Sequence, residues 1–177
     1  IMYPASTTKM MTLITALKRA KLDETVVVAP AAVGIEGSSL ELRMLDRLSL
    51  RELLFGLMLA SGNDAAHAVA EHVARGSYKQ FIAWMNEDAE KIGALRTHFS
   101  NPHGLPDPVN HFTTAYDLAM IADAGFKIDG FEQFVAKPYH TVLFQNRSKG
   151  ISLVNTNTLL MTYPGANGVK TGVTRAA

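Results

Sequence analysis

A stripe of apolar residues at helical spacing, Met10, Leu13, Ile14 and Leu17, follows directly on the polar segment Ser6-Thr7-Thr8-Lys9. This junction constrains the fold strongly, because the stripe must be buried while the polar head stays at its edge. If Ser6 opens the helix, residues three apart share a face, and the Lys9 amine can bend back to the Ser6 hydroxyl. Burial disfavours the charged form of a lysine, so Lys9 at the rim of an apolar core is placed to act as a base. Two other short polar segments, Ser61-Gly62-Asn63 and Lys170-Thr171-Gly172, occur once each, far along the chain.

Taken singly, each segment has a purely structural explanation. Ser6 is a good N-cap, Lys9 fits a solvated helix position, and Ser61-Gly62-Asn63 suits a turn between helices. Asn167-Gly168 and Lys170-Thr171-Gly172 suit a turn leading into a strand. In this order and together, the three resemble the serine acyl-transfer motifs of class A β-lactamases and penicillin-binding proteins. A serine hydroxyl needs a base within hydrogen-bond reach, which makes Ser6 the candidate nucleophile and Lys9 its base. Lys170 is a second cation that would hold down the Lys9 pKa if the third motif folds against the first. Ser61 would pass a proton towards the leaving group, and Asn63 would hold Lys9 and a substrate amide. Lys170 and Thr171 would grip a substrate carboxylate by charge and hydroxyl, with Thr171 in direct contact because strand neighbours face opposite ways. Gly172 would let a substrate backbone approach.

The resemblance extends beyond these residues. Pro4 to Thr12, Leu48 to Leu54 running into Ser61 to Ala66, Asn101 to Asp107, His111 to Leu118, Asn155-Thr156-Asn157 and Tyr163-Pro164-Gly165 are similar to segments of the serine-type D-alanyl-D-alanine carboxypeptidases. These are the low-molecular-mass class of penicillin-binding proteins. The resemblance implies a mixed α/β fold of the serine β-lactamase and DD-peptidase type, one catalytic domain over 1–177, with helices packed on an antiparallel sheet. It implies removal of the terminal D-alanine from peptidoglycan stem peptides through an acyl-enzyme on Ser6, and covalent inhibition by β-lactams. Backbone N–H groups of Ser6 and, by position relative to the family, Val173 would hold the oxyanion. No metal or organic cofactor is implied, and the site of action would be extracytoplasmic. Relatives carry strands before the nucleophile helix and after the Lys-Thr-Gly strand, so the chain is expected to be truncated at both ends, with a further segment or chain completing the sheet.

The rival readings are a β-lactamase and a non-catalytic β-lactam sensor or wall-binding module. Class A β-lactamases place a deacylating glutamate about 36 residues beyond the middle serine. Here Thr97 occupies that position, and no glutamate lies between Glu90 and Glu132.

Periodicity predicts helices over 6–20, 50–60, 63–74, 78–95 and 115–124, a long loop over 96–112, a hairpin of 139–144 with 151–154, and a strand over 167–174. Ser49 with Glu52, Ser77 with Gln80 and Thr114 with Asp117 have the spacing of helix caps. Asp64 fits the favourable first turn of its helix, and the eight methionines are expected to fill the core. A formal charge of +1 argues against nucleic acid as the main partner. The absence of cysteine leaves the redox compartment open. His67 and His72 are five residues apart, a poor spacing for a shared metal, and the other histidines are assigned to local hydrogen bonding.

Overall fold

The computed structural model describes residues 1–174. A 3-10 turn, Ala5–Thr8, leads into α1, Lys9–Leu17. Then come β1 (Thr25–Val27), a short 3-10 turn (Pro30–Ala32), β2 (Arg47–Ser49), α2 (Leu50–Leu59), α3 (Asn63–Val73) and α4 (Tyr78–Ile92). The second half holds α5 (Ala115–Phe126), α6 (Phe131–Val135), β3 (Tyr139–Val142), β4 (Ile151–Val154) and α7 (Leu159–Thr162).

Helix α1 is the axis of the molecule. It packs against α2, α3, α4, α5 and α6, and every residue from Lys9 to Ala16 is buried. The apolar stripe accounts for one face only. Thr12 and Thr15 are buried too, which is tolerable because their hydroxyls donate to Pro102 O at 2.6 Å and Asp88 Oδ2 at 3.2 Å. Buried Asp88 on α4 also receives Lys18 and Arg19, both at 2.5 Å, and so fastens the end of α1 to α4. Trp84 lies half-buried beneath the Arg19 guanidinium, 5.0 Å from it, and packs the end of α1 against α4.

Local signals set several helix ends. Ser49 Oγ accepts from Glu52 N and Thr114 Oγ1 from Asp117 N, as their spacing predicts. Ser77 makes no side-chain cap. Helix α4 stops at Ile92 rather than 95 because Gly93 takes the left-handed C-cap conformation, φ 89°. Met2, Met44 and Met161 are exposed, so the methionines are not uniformly core.

The strands form two separate antiparallel ladders. β3 pairs β4, with Tyr139 opposite Val154 and Val142 opposite Ile151, so the expected hairpin is present with a shorter first strand. β1 pairs β2, a ladder that three-residue strands do not announce. The segment expected to be a strand over 167–174 has no ladder among the described residues. A strand needs a partner for its backbone groups, and apolar alternation alone does not supply one. Among the described residues no helix is long and apolar enough to cross a membrane.

Candidate active site

In 3-10 geometry, side chains at i and i+3 eclipse one another. The 3-10 turn Ala5–Thr8 therefore stacks Lys9 on Ser6, with Lys9 Nζ 2.9 Å from Ser6 Oγ. The expected reach is present, but the tighter helix supplies it in place of the first turn of an α-helix. Ala5 has φ of 50°, a left-handed conformation costing roughly 1–2 kcal/mol for a residue with a Cβ. Two glycines pack against this strained turn. Gly104, itself at φ 92°, lies where a Cβ would collide with the Ala5 carbonyl. At Gly172 a Cβ would come within 3.0 Å of Thr7 N and 3.1 Å of Ser6 N. On the side where a Cβ would project, Gly172 is packed against the turn that carries Ser6, while the residue itself stays in the lining of the cleft.

Lys9 is completely buried and makes three contacts. Besides Ser6, its Nζ donates to Asn63 Oδ1 and to the His103 carbonyl, both at 2.7 Å. Burial first, and repulsion by Lys170 second, hold its pKa well below the usual lysine range, with Asp64 opposing. A neutral amine has two N–H donors and one lone pair. Asn63 Oδ1 and the His103 carbonyl can only accept, so they take the two hydrogens and leave the lone pair to face the Ser6 hydroxyl. The geometry therefore admits the deprotonated form of Lys9 with its lone pair on Ser6, the form that its lowered pKa favours.

Asn63 is held as tightly. Its Nδ2 donates to Glu36 O at 2.6 Å, and its backbone N–H to Ser38 O at 2.7 Å. It is buried, and its Oδ1 is one of the groups that position Lys9. Asp64 accepts from the backbone of Leu40, Leu42 and Ala65 and from Ser39 Oγ. It pins the loop that carries Ser38 over the second motif, a larger task than charging a helix terminus.

The cleft itself, about 400 Å³, is lined by Ser6, Ser38, Ser61, Thr156, Thr171, Gly172 and Val173. Ser61 faces it from a left-handed backbone, φ 58°, the second strained residue at this site. Thr171 Oγ1 lies 2.8 Å from Thr156 Oγ1. The Lys170 ammonium donates to the Thr171 carbonyl at 3.0 Å and approaches Thr156 Oγ1 at 3.5 Å. With no regular strand here, Lys170 and Thr171 do not face opposite ways; both converge on Thr156. Burial pushes the Lys170 pKa down to about 8.

The long loop after α4 wraps the turn that carries Ser6. Asn101 shapes it, its Oδ1 accepting from Gly104 N at 2.7 Å and its Nδ2 donating to Leu105 O at 2.9 Å. Buried His111 bridges Thr8 Oγ1 at 2.8 Å and Ser100 N at 3.0 Å. Its Nδ1 accepts the backbone hydrogen, so Nε2 carries the proton and donates to Thr8. Burial lowers the His111 pKa to about 4 and that of His103 to about 3, the Lys9 charge adding to the latter. Among the described residues, no group of three or more His, Cys, Asp or Glu side chains is placed to hold a metal ion. Thr97, where a β-lactamase would carry its glutamate, donates to Asp117 Oδ2 at 2.7 Å and does not line the cleft.

Motif reading did not assign roles to Ser38, Thr156, Gly104 or the His103 carbonyl. Asn155-Thr156-Asn157 and Asn101 to Asp107 stood out in the sequence as similar segments, but nothing local said that they meet Ser6. Ser38 carries no signal beyond its neighbouring glycine.

A family model described as D-alanyl-D-alanine carboxypeptidase matches residues 1–177. The D-alanyl-D-alanine carboxypeptidase DacF of Bacillus subtilis is 37% identical over 179 residues, covering 98% of this chain and 45% of the relative. The corresponding DacB2 of Mycobacterium tuberculosis is 37% identical over 175 residues, covering 98% and 59%. The chain therefore spans about half the length of these curated relatives. The crystal structure of a D-alanyl-D-alanine carboxypeptidase from Mycobacterium tuberculosis superposes with a TM-score of 0.91 at 37% identity, covering 99% of this chain and 66% of that one. A Streptomyces DD-transpeptidase gives a TM-score of 0.88 at 34% identity, covering 98% and 71%. By sequence and by fold, the chain belongs to the D-alanyl-D-alanine carboxypeptidase family.

Proposed function

We propose that this chain is the catalytic domain of a serine DD-carboxypeptidase acting on peptidoglycan stem peptides outside the cytoplasm, with β-lactams as covalent inhibitors. The observation that carries the reading is the environment of Lys9: complete burial, two acceptor-only carbonyl partners and Ser6 Oγ at 2.9 Å. Ser6 gives its proton to neutral Lys9 as its oxygen attacks the carbonyl between the last two D-alanines. The oxyanion is received by the backbone N–H groups of Ser6 and Val173. As the C–N bond breaks, Lys9 returns the proton through the Ser61 hydroxyl to the leaving amine, and D-alanine departs. Water, deprotonated by Lys9, then hydrolyses the ester and restores Ser6. Thr171 and the Lys170 charge hold the terminal carboxylate.

A fluorescent penicillin should label the purified protein at Ser6, Ser6→Ala should abolish labelling, and the wild type should release D-alanine steadily from a pentapeptide. An adduct mapped by mass spectrometry to any other residue would overturn the assignment. Labelling without D-alanine release would identify a sensor instead.

A further inference from the structure

Thr156 is exposed between two buried asparagines. Asn155 Nδ2 donates to Lys137 O at 3.0 Å, and Asn157 Nδ2 donates to Gly168 O at 2.9 Å. Thr156 N donates to Leu59 O at the end of α2. The residue is thereby fixed between the helix that leads to Ser61 and the segment that carries Lys170, with its hydroxyl in the cleft. Its neighbours there are Thr171 Oγ1 at 2.8 Å and Lys170 Nζ at 3.5 Å.

A pair of touching hydroxyls has two arrangements, because either oxygen can donate to the other. If Thr171 donates to Thr156, the Thr171 hydrogen is consumed within the protein. If Thr156 donates to Thr171, the Thr171 hydrogen is free to point outward. An ammonium only donates, and at 3.5 Å its charge turns the Thr156 oxygen towards itself and the Thr156 hydrogen away, towards Thr171. A carboxylate only accepts, so it requires the second arrangement.

We propose that Thr156 is a positioning residue that aims the Thr171 hydroxyl at the substrate's terminal carboxylate, relaying the orientation imposed by the Lys170 ammonium from one hydroxyl to the next. The inference rests on the carboxypeptidase reading and adds to it a determinant of carboxylate selectivity outside the three motifs. No covalent step runs through Thr156, and its replacement leaves Ser6 and Lys9 untouched.

The test compares the second-order rate of Ser6 acylation by benzylpenicillin with that by its methyl ester, which has the same reactive ring but no carboxylate. Thr156→Val, similar in size at an exposed position, should slow the free acid by about 5- to 10-fold, the scale of one hydrogen bond. It should slow the ester less than about twofold, and Thr156→Ser should restore both rates to within about twofold of wild type. Equal slowing of acid and ester by Thr156→Val, or no slowing of the acid, overturns the proposal and leaves the carboxypeptidase reading standing. A wild-type protein acylated at Ser6 by neither probe removes that reading and the inference with it. Thermal melts of both variants separate loss of selectivity from loss of fold.

Discussion

The two lysines of the site sit in opposite surroundings. Lys9 is sealed in the core with three partners fixed by the 3-10 turn before α1, by α3 and by the long loop. Lys170 is half-buried on a segment without regular structure, within reach of a threonine hydroxyl and a carbonyl. Burial lowers both pKa values: Lys9, repelled also by Lys170, falls well below the usual lysine range, and Lys170 falls to about 8 and keeps its charge at neutral pH. The difference suits the two tasks proposed for them. A base must have lost its proton before it can accept one, which calls for removal from water. A carboxylate grip must stay cationic and open to an incoming peptide, which calls for partial exposure.

The largest expected effect breaks the buried end. Lys9→Arg keeps the positive charge but supplies a group that does not deprotonate, so Ser6 acylation should fall by about two orders of magnitude or more. Stopped-flow labelling with a fluorescent penicillin measures it, with melts to confirm folding. Wild-type acylation by the variant would mean that Lys9 and Lys170 do not differ in role.

Acid should also find the buried end first. His103 and His111 are neutral in the fold, with pKa values of about 3 and about 4, while an unfolded histidine takes up a proton near 6.5. Their lowered pKa values therefore contribute stability that is fully present above pH ~6.5 and is lost as pH falls towards ~4, by roughly 3 kcal/mol for each such histidine. Urea titrations from pH 7 to pH 4 should show this slope, and His111→Gln should reduce it. A flat profile over that range would contradict the buried, neutral loop.

The exposed end should respond more mildly. Thr171→Val removes the hydroxyl at similar size and should cost about 1.5 to 3 kcal/mol in transition-state stabilisation, the range for a hydrogen bond to a charged group. The loss should be larger for a peptide ending in a free carboxylate than for the same peptide amidated. Equal losses would remove Thr171 from the grip.

The smallest effect is a pH limb. As Lys170 loses its proton around pH 8, acylation by a carboxylate-bearing penicillin should fall about three- to fivefold between pH 7 and 9, as expected for one partly solvated charge. A rate still climbing through pH 9 would show that the Lys170 charge does not assist binding.

Much of the buried end was legible in the chain because its logic is local. The Ser6 to Lys9 spacing, the apolar stripe behind it and the caps at Ser49 and Thr114 depend on residues within one turn of each other. Even there the helix type is not encoded in the spacing, since a 3-10 turn and the first turn of an α-helix share the i, i+3 contact. The grip end was legible only as a motif. Lys170-Thr171 was expected on a strand with its side chains opposed, and the structure places it on an unpaired segment converging on Thr156.

The sequence by itself determined the family, the pairing of Ser6 with Lys9 and most of the helices, because identity, spacing and periodicity are properties of neighbours along the chain. Tertiary structure alone decided that the His103 carbonyl, 94 positions from Lys9, is one of its partners. It also decided that Asp64 secures the Ser38 loop, that Gly104 and Gly172 close on the turn that carries Ser6, and that Thr156 meets Thr171. The physical reason is common to all of these. A backbone carbonyl, the fit of a missing Cβ or the direction of a hydroxyl leaves no residue-level pattern, because each acquires its role only when distant segments are brought into contact.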